Sequence, residues 1–197
     1  MNIVAVILAA GAGRRMGGTK ALLRIGGETF LSRTARLLGR PGVASVLAVV
    51  GHEAERVAAG GALPAGVALV DNPRHLDGML SSILCGLDEA EARGAEAVLL
   101  HPVDHPLVDP ATVDRVVAAL EAGAIVAVPT HGARRGHPGG FARAAWTALR
   151  AAPADRGARA VLADHSGWVV HVPGDPGCVA GIETPADYER WIAGVSP

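Results

Sequence analysis

The sequence lacks several features that would place it in a familiar class. It has only two cysteines in 197 residues, Cys85 and Cys178, and their separation of 93 positions fits neither a disulfide framework nor a compact zinc-ligand spacing. A reducing compartment, the cytoplasm, is therefore expected. No stretch reaches the roughly eighteen apolar residues that a membrane-spanning helix needs. The opening Met1 to Leu8 has no basic segment before its apolar run, unlike a secretory signal. Neither charge sign is in excess: 18 basic and 19 acidic residues leave a formal charge of -1, which argues against nucleic acid or an anionic membrane as partner. Lysine is almost missing, with Lys20 standing alone beside seventeen arginines. Half the residues are apolar and 19% are charged, which excludes a disordered chain and supplies one sizeable core. One domain over residues 1–197 is the expectation.

Short apolar runs at Ile3–Leu8, Val46–Val50, Val67–Val70, Ala97–Leu100 and Ile125–Val128 read as central strands. Helical spacing separates them. Phe30, Leu31, Thr34, Leu37 and Leu38 share one face, Ser81 to Glu91 carries a similar stripe, and Val113, Val116, Val117 and Leu120 repeat it after Pro110. The alternation predicts a three-layer, Rossmann-like α/β fold with a mostly parallel sheet and its active groups at the carboxyl ends of strands. From His131 to Gly140 the chain is glycine-rich and basic, and reads as irregular. Short helices near Ala142–Leu149 and Gly157–His165, a strand over Trp168–Val172 and a helix over Pro185–Ile192 complete the expectation. These later elements allow for an antiparallel portion of the sheet.

The segment after the first strand carries the chemistry. Gly11, Gly13, Gly17 and Gly18 let the backbone approach phosphate closely, and Arg14, Arg15 and Lys20 supply cationic donors. Two common phosphate motifs fail on spacing: Met16 stands where a dinucleotide fingerprint needs its third glycine, and Thr19 separates Gly18 from Lys20 where a P-loop needs them adjacent. Leu8-Ala9-Ala10-Gly11 through Arg15-Met16-Gly17 and Lys20 instead resembles the signature of the MobA-like nucleotidyltransferases, in particular their molybdenum cofactor cytidylyltransferase branch. The resemblance implies that Leu8, Ala10, Gly11 and Gly13 surround a nucleotide, with Arg15 and Lys20 neutralising the departing pyrophosphate.

Further motifs follow in the family's order. Asn72 precedes Gly78-Met79 and the pair Ser81-Ser82. This resembles the second nucleotide-contacting segment, with Asn72 on base or ribose and Ser81 on an oxygen; either serine is equally suited to cap the helix that follows. Asp104, in Asp104-x-Pro106 after a strand, resembles the family's magnesium-binding aspartate, a hard oxygen ligand suited to a phosphate-bridging cation. His101 and His105 beside it read as loop or packing residues. Gly136-His137-Pro138 and Asp155-Arg156-Gly157-Ala158-Arg159 resemble acceptor-side segments, which gives His137 a place in the acceptor pocket and Arg159 the acceptor phosphate. Glu183 falls where a second magnesium carboxylate is expected, whereas Gly181 replaces a residue that is usually acidic.

The resemblance thus implies a magnesium-dependent enzyme that moves CMP from CTP to molybdopterin or its molybdenum-loaded form. Arg15, Lys20 and Asp104 would be catalytic, Asp104 and Glu183 would hold Mg2+, and the product would pass by transient contact to a molybdoenzyme or its maturation factor. GTP in place of CTP, a sugar-phosphate acceptor, or a cofactor-binding chaperone that has lost catalysis are the alternatives.

Overall fold

The computed structural model describes residues 1–192. Its first strand, β1 (Ile3–Leu8), sits in the middle of the molecule and serves two cores at once: Ile3, Ala5 and Ile7 point to one face, Val4 and Val6 to the other. This is the period of two that a strand imposes on an unbroken apolar run. A small hairpin, β2 (Arg24–Ile25) and β3 (Glu28–Thr29), leads into α1 (Phe30–Leu38), whose start is capped by the Thr29 hydroxyl accepting from the Ser32 amide at 3.1 Å. The chain continues through β4 (Val43–Val50), α2 (Ala54–Gly60), β5 (Val67–Asp71), α3 (Met79–Ala92), β6 (Ala97–Pro102) and α4 (Pro110–Glu121). The last part contains β7 (Val126–His131), β8 (Arg134–Arg135), β9 (Gly139–Ala142), α5 (Trp146–Arg150), α6 (Ala158–Asp164), β10 (Val169–Pro173) and α7 (Pro185–Ile192).

The strands form an eight-stranded sheet in the order β10-β7-β9-β6-β1-β4-β5, with β8 paired to β7. Helices α1, α2, α4 and α7 pack on one face, and α3, α5 and α6 on the other. The three-layer, mostly parallel fold read from the sequence is the one observed. Among the described residues no helix is long and apolar enough to cross a membrane.

The antiparallel portion comes from a segment with no strand signal. β9 runs antiparallel to both β6 and β7 and begins at the end of the stretch, His131 to Gly140, that reads as irregular, reaching Ala142 where a helix was expected to start. Gly140 is a packing requirement: a Cβ there would lie 2.9 Å from both Leu120 Cδ1 and Val116 Cγ1 of α4. β10, in contrast, is parallel to β7. The serines expected as helix caps do not cap α3, because its capping position is Gly78 and the Ser81 hydroxyl donates to the Gly78 carbonyl at 2.8 Å.

The order of strands positions the site. From β1 the chain moves outward through β4 and β5, then returns to place β6 on the other side of β1, so the sheet changes direction between β1 and β6. Leu8 and Pro102 are cross-strand partners at the carboxyl ends of these two strands. The loops that leave them diverge there and open a crevice, the usual ligand position in an open α/β sheet.

Candidate active site

The loop after β1 is shaped by glycine. Gly13 has φ of +57°, and a Cβ there would lie 2.0 Å from the Gly18 carbonyl oxygen, so the loop closes on itself only with glycine at this position. Gly17, at φ of +74°, ends the turn Arg14–Met16. The fold then brings Lys20 to the loop after β6: its Nζ lies 2.7 Å from Asp104 Oδ2, with both side chains more than four-fifths buried. The other carboxylate oxygen, Oδ1, lies 3.0 Å from His105 Nδ1. Arg15, on the exposed rim, pairs with Glu183 Oε2 at 2.7 Å. The two cations of the glycine loop thus rest on the two acids expected to hold a metal.

Electrostatics follow from this packing. Burial alone would raise the Asp104 pKa, but the hydrogen bond and electrostatic attraction of His105, followed by those of Lys20, hold the carboxyl well below its usual range. His101, fully buried on β6, is pushed down to about 3 by burial and then by His105, and its Nε2 bonds the His105 carbonyl at 3.0 Å. His137 is also lowered, by burial first and then by His105 and His101; its Nδ1 is buried without a partner. Its ring stands 4.7 Å from that of His105.

Two cavities meet at Asp104. One, of about 350 Å³, is lined by the glycine loop, with Leu8, Ala10, Gly11, Gly13, Arg15 and Lys20 on one side and Gly78, Met79 and Ser82 on the other. The second, of about 580 Å³, has apolar walls that include Leu80, Ile83, Leu100 and Phe141, with His137, Arg159 and Glu183 among its polar lining. Leu8, Met79, Pro102 and Asp104 belong to both. Arg135 lines the larger cavity too; it was not singled out in the sequence, although it directly precedes Gly136-His137-Pro138.

Asn72 and Ser81 line neither cavity. Asn72 is 2% exposed, its amide nitrogen donates to Ser81 Oγ at 2.9 Å and Ser82 Oγ at 3.0 Å, and its oxygen accepts from the Arg74 amide at 2.9 Å. Ser81 Oγ also lies 2.8 Å from the Arg74 carbonyl oxygen, so its single proton is shared between this carbonyl and that of Gly78. This clasp shapes the 72–82 loop and leaves neither side chain on the wall of either cavity.

Glu183 is placed by its own helix start. The Asp187 carboxylate accepts from the Glu183 and Thr184 amides at 3.2 and 3.0 Å and from the Thr184 hydroxyl at 2.8 Å, which fixes the turn before α7. The Ile182 amide donates to the Asp104 carbonyl at 2.8 Å and ties this turn to the β6 loop. Among the described residues no three His, Cys, Asp or Glu side chains converge as a metal cage. Asp104 and Glu183, two hard oxygen donors facing a phosphate loop, suit a cation such as Mg2+ that keeps waters and takes phosphate oxygens.

A cationic glycine loop and a carboxylate at the switch point of an open sheet define an enzyme of the NTP-dependent nucleotidyltransferase class. The chain belongs to the MobA-like NTP transferase domain family, whose description matches residues 5–169. It is 33% identical over 201 residues to a molybdenum cofactor guanylyltransferase of Rhodobacter capsulatus, covering 96% of this chain and 95% of that protein. It is 39% identical over 128 residues to one from Cereibacter sphaeroides, where the match spans 64% of this chain and 63% of the relative. In structure it resembles Rv0371c of Mycobacterium tuberculosis H37Rv, with a TM-score of 0.80 at 28% identity over 99% of this chain and 100% of the other. That protein is also known in complex with manganese.

These relatives overturn the expected cytidylyltransferase branch and its CTP, since the molybdenum cofactor enzymes among them are named guanylyltransferases. Of the residues whose pattern resembles the cytidylyltransferase branch, Ser81 is turned into its own loop and Gly136 and His137 line the larger cavity, so only Met79 and Ser82 of those segments border the glycine-loop cavity.

Proposed function

We propose that the chain transfers GMP from GTP to molybdopterin, with release of pyrophosphate. The observation that carries the reading is the pair of cavities joined at Asp104, one walled by the cationic glycine loop and the other able to take a phosphate-bearing acceptor. The named function of the relatives supports guanine and molybdopterin as the particular substrates.

In this reading the loop amides and Gly13 cradle the triphosphate, while Lys20 and Arg15 exchange their carboxylate partners for phosphate oxygens as GTP enters. An ionised oxygen of the acceptor phosphate attacks the α-phosphorus, the bond from that phosphorus to the bridging oxygen breaks, and the electron pair leaves with pyrophosphate. The attacking group is already anionic, so no protein base is needed. Fixed cations are most effective where charge grows, here on the departing oxygens. Asp104 and Glu183, freed from Lys20 and Arg15, would hold Mg2+, which supplies shielding between the two phosphates when bound. Arg135 and Arg159 have no ion-pair partner among the described residues and would orient the acceptor's anionic end. The two free thiols fit a reaction carried out in the cytoplasm.

The test is magnesium-dependent pyrophosphate release from GTP, CTP, ATP and UTP, each with and without molybdopterin. Release is expected with GTP and acceptor together. Equal release with CTP, or none with any pair, would sink the assignment.

A further inference from the structure

His105 occupies the variable position of Asp104-x-Pro106 and, from sequence, reads as a loop or packing residue. The structure gives it a narrower set of contacts. Its Nδ1 lies 3.0 Å from Asp104 Oδ1, and because an ionised carboxylate only accepts, the ring proton must sit on Nδ1. With Oδ1 held there, Oδ2 is the oxygen turned to Lys20 and the glycine loop. The ring itself is confined. His101 bonds the His105 carbonyl at 3.0 Å, His137 stacks edge-on at 4.7 Å, and the third side is closed by Gly181. A Cβ on Gly181 would lie 3.2 Å from His105 Cε1 and 3.3 Å from Nε2, closer than side chains normally approach.

We propose that His105 is a positioning residue for the transfer reaction: it fixes the Asp104 carboxylate so that Oδ2 faces the phosphates, and Gly181 provides the space its ring needs. The proposal rests on the reading of Asp104 as the cation-holding carboxylate, and it connects two features that seemed unrelated, a histidine without an assigned role and a glycine at a usually acidic position. A carboxylate with one oxygen already hydrogen-bonded presents the other in a single orientation. Loss of such an outer partner typically lowers metal affinity by about 10- to 100-fold.

The test follows Mn2+ binding by electron paramagnetic resonance, in the presence of GTP and the absence of acceptor and read as the protein-dependent change over a GTP–Mn2+ blank, for the wild-type chain, His105→Ala, His105→Asn and Gly181→Ala. His105→Ala should weaken Mn2+ binding by about 10- to 100-fold and leave metal-free GTP affinity unchanged. His105→Asn, whose amide nitrogen can take the place of Nδ1, should recover most of the loss. Gly181→Ala should weaken Mn2+ binding although His105 is present. In turnover the same order should appear in the KM for Mg2+, with kcat at saturating Mg2+ little changed. Mn2+ binding by folded His105→Ala equal to wild type would overturn the role of His105, as would a folded Asn variant no better than Ala. Absence of Mn2+ binding by the wild type would overturn the reading of Asp104 itself, which keeps the two failures apart.

Discussion

The two ion pairs of the site are chemically alike and energetically different. Lys20 and Asp104 are 16% and 18% exposed, whereas Arg15 and Glu183 are 67% and 47% exposed. Solvent screens the second pair, and such exposed pairs are worth little. Lys20→Ala should therefore lower kcat/KM for GTP by about 100- to 1,000-fold, the size seen when one fixed charge-stabilising donor is lost. Arg15→Ala should cost about tenfold or less, because its guanidinium has to be drawn from water. Steady-state rates with GTP, alongside circular dichroism to verify folding, check the order; equal losses would show that burial is not what distinguishes them. A second consequence lies in His101, whose folded pKa of about 3 is below its unfolded value near 6.5. Above pH 6.5 the residue is neutral in both states and pH does not act through it. As pH falls below that, the unfolded chain takes up the proton and the folded chain does not, so stability drops, by about 2 kcal/mol by pH 5. Asp104 acts in the same direction but in a more acidic range: its stabilisation is complete above the ordinary carboxylate pKa and is lost only as pH falls below it. Urea unfolding at pH 7 and pH 5 should show the loss, and His101→Gln, which keeps a donor for the His105 carbonyl, should reduce it. An unchanged pH dependence in that variant would count against a neutral buried imidazole.

At the level of elements, glycine sets how closely helices approach the sheet. A Cβ on Gly86 of α3 would lie 2.3 Å from Val6 Cγ1 of β1 and 3.1 Å from Val49 Cγ2 of β4. On an exposed helix, glycine to alanine gains about 1 kcal/mol. Here the overpacking cost of about 1–3 kcal/mol is larger, so Gly86→Ala should lower the Tm, and a raised Tm would show that α3 can shift without penalty. The same property explains which elements could be read from sequence. β1, β4, β6, α1 and α4 are legible because each carries the periodic apolar pattern of a strand or helix covering a core. β9 was not, because Gly139 and Gly140 have no strand preference, and Gly140 is needed for the approach of α4. The β2–β3 hairpin, two residues per strand, is too short for a period to emerge, and in α2 only Val57 is buried, too little for a stripe. In the site, Lys20 stands out by its place in the glycine loop and Asp104 by its resemblance to a family motif, and the fold brings the two into contact. The clasp of Asn72 with Ser81 and Ser82 was not legible, since a polar residue bonded to its own loop has the same sequence signature as one that faces a ligand.

For the whole molecule, the change of direction between β1 and β6 creates two compartments that share one carboxylate, and this arrangement makes the effects of variants separable. Gly13 borders only the smaller cavity, and a methyl group there would collide with the Gly18 carbonyl at 2.0 Å, in a backbone region that side chains avoid. Gly13→Ala should therefore raise the KM for GTP, by about tenfold or more, with little change in the KM for the acceptor. Arg159 borders only the larger one. Arg159→Ala should raise the acceptor KM by about 10- to 100-fold, as expected for a lost hydrogen bond to a charged group, and leave GTP affinity as it was. The double variant should show the product of the two effects, because residues without shared contacts behave additively. Asp104 borders both cavities and should break the pattern: Asp104→Asn keeps the shape of the side chain, removes its charge, and should lower kcat with both substrates saturating. Two-substrate kinetics on this set of four variants tests the division. If Arg159→Ala weakened GTP as much as acceptor, the larger cavity would belong to the nucleotide and the assignment of the two compartments would have to be reversed.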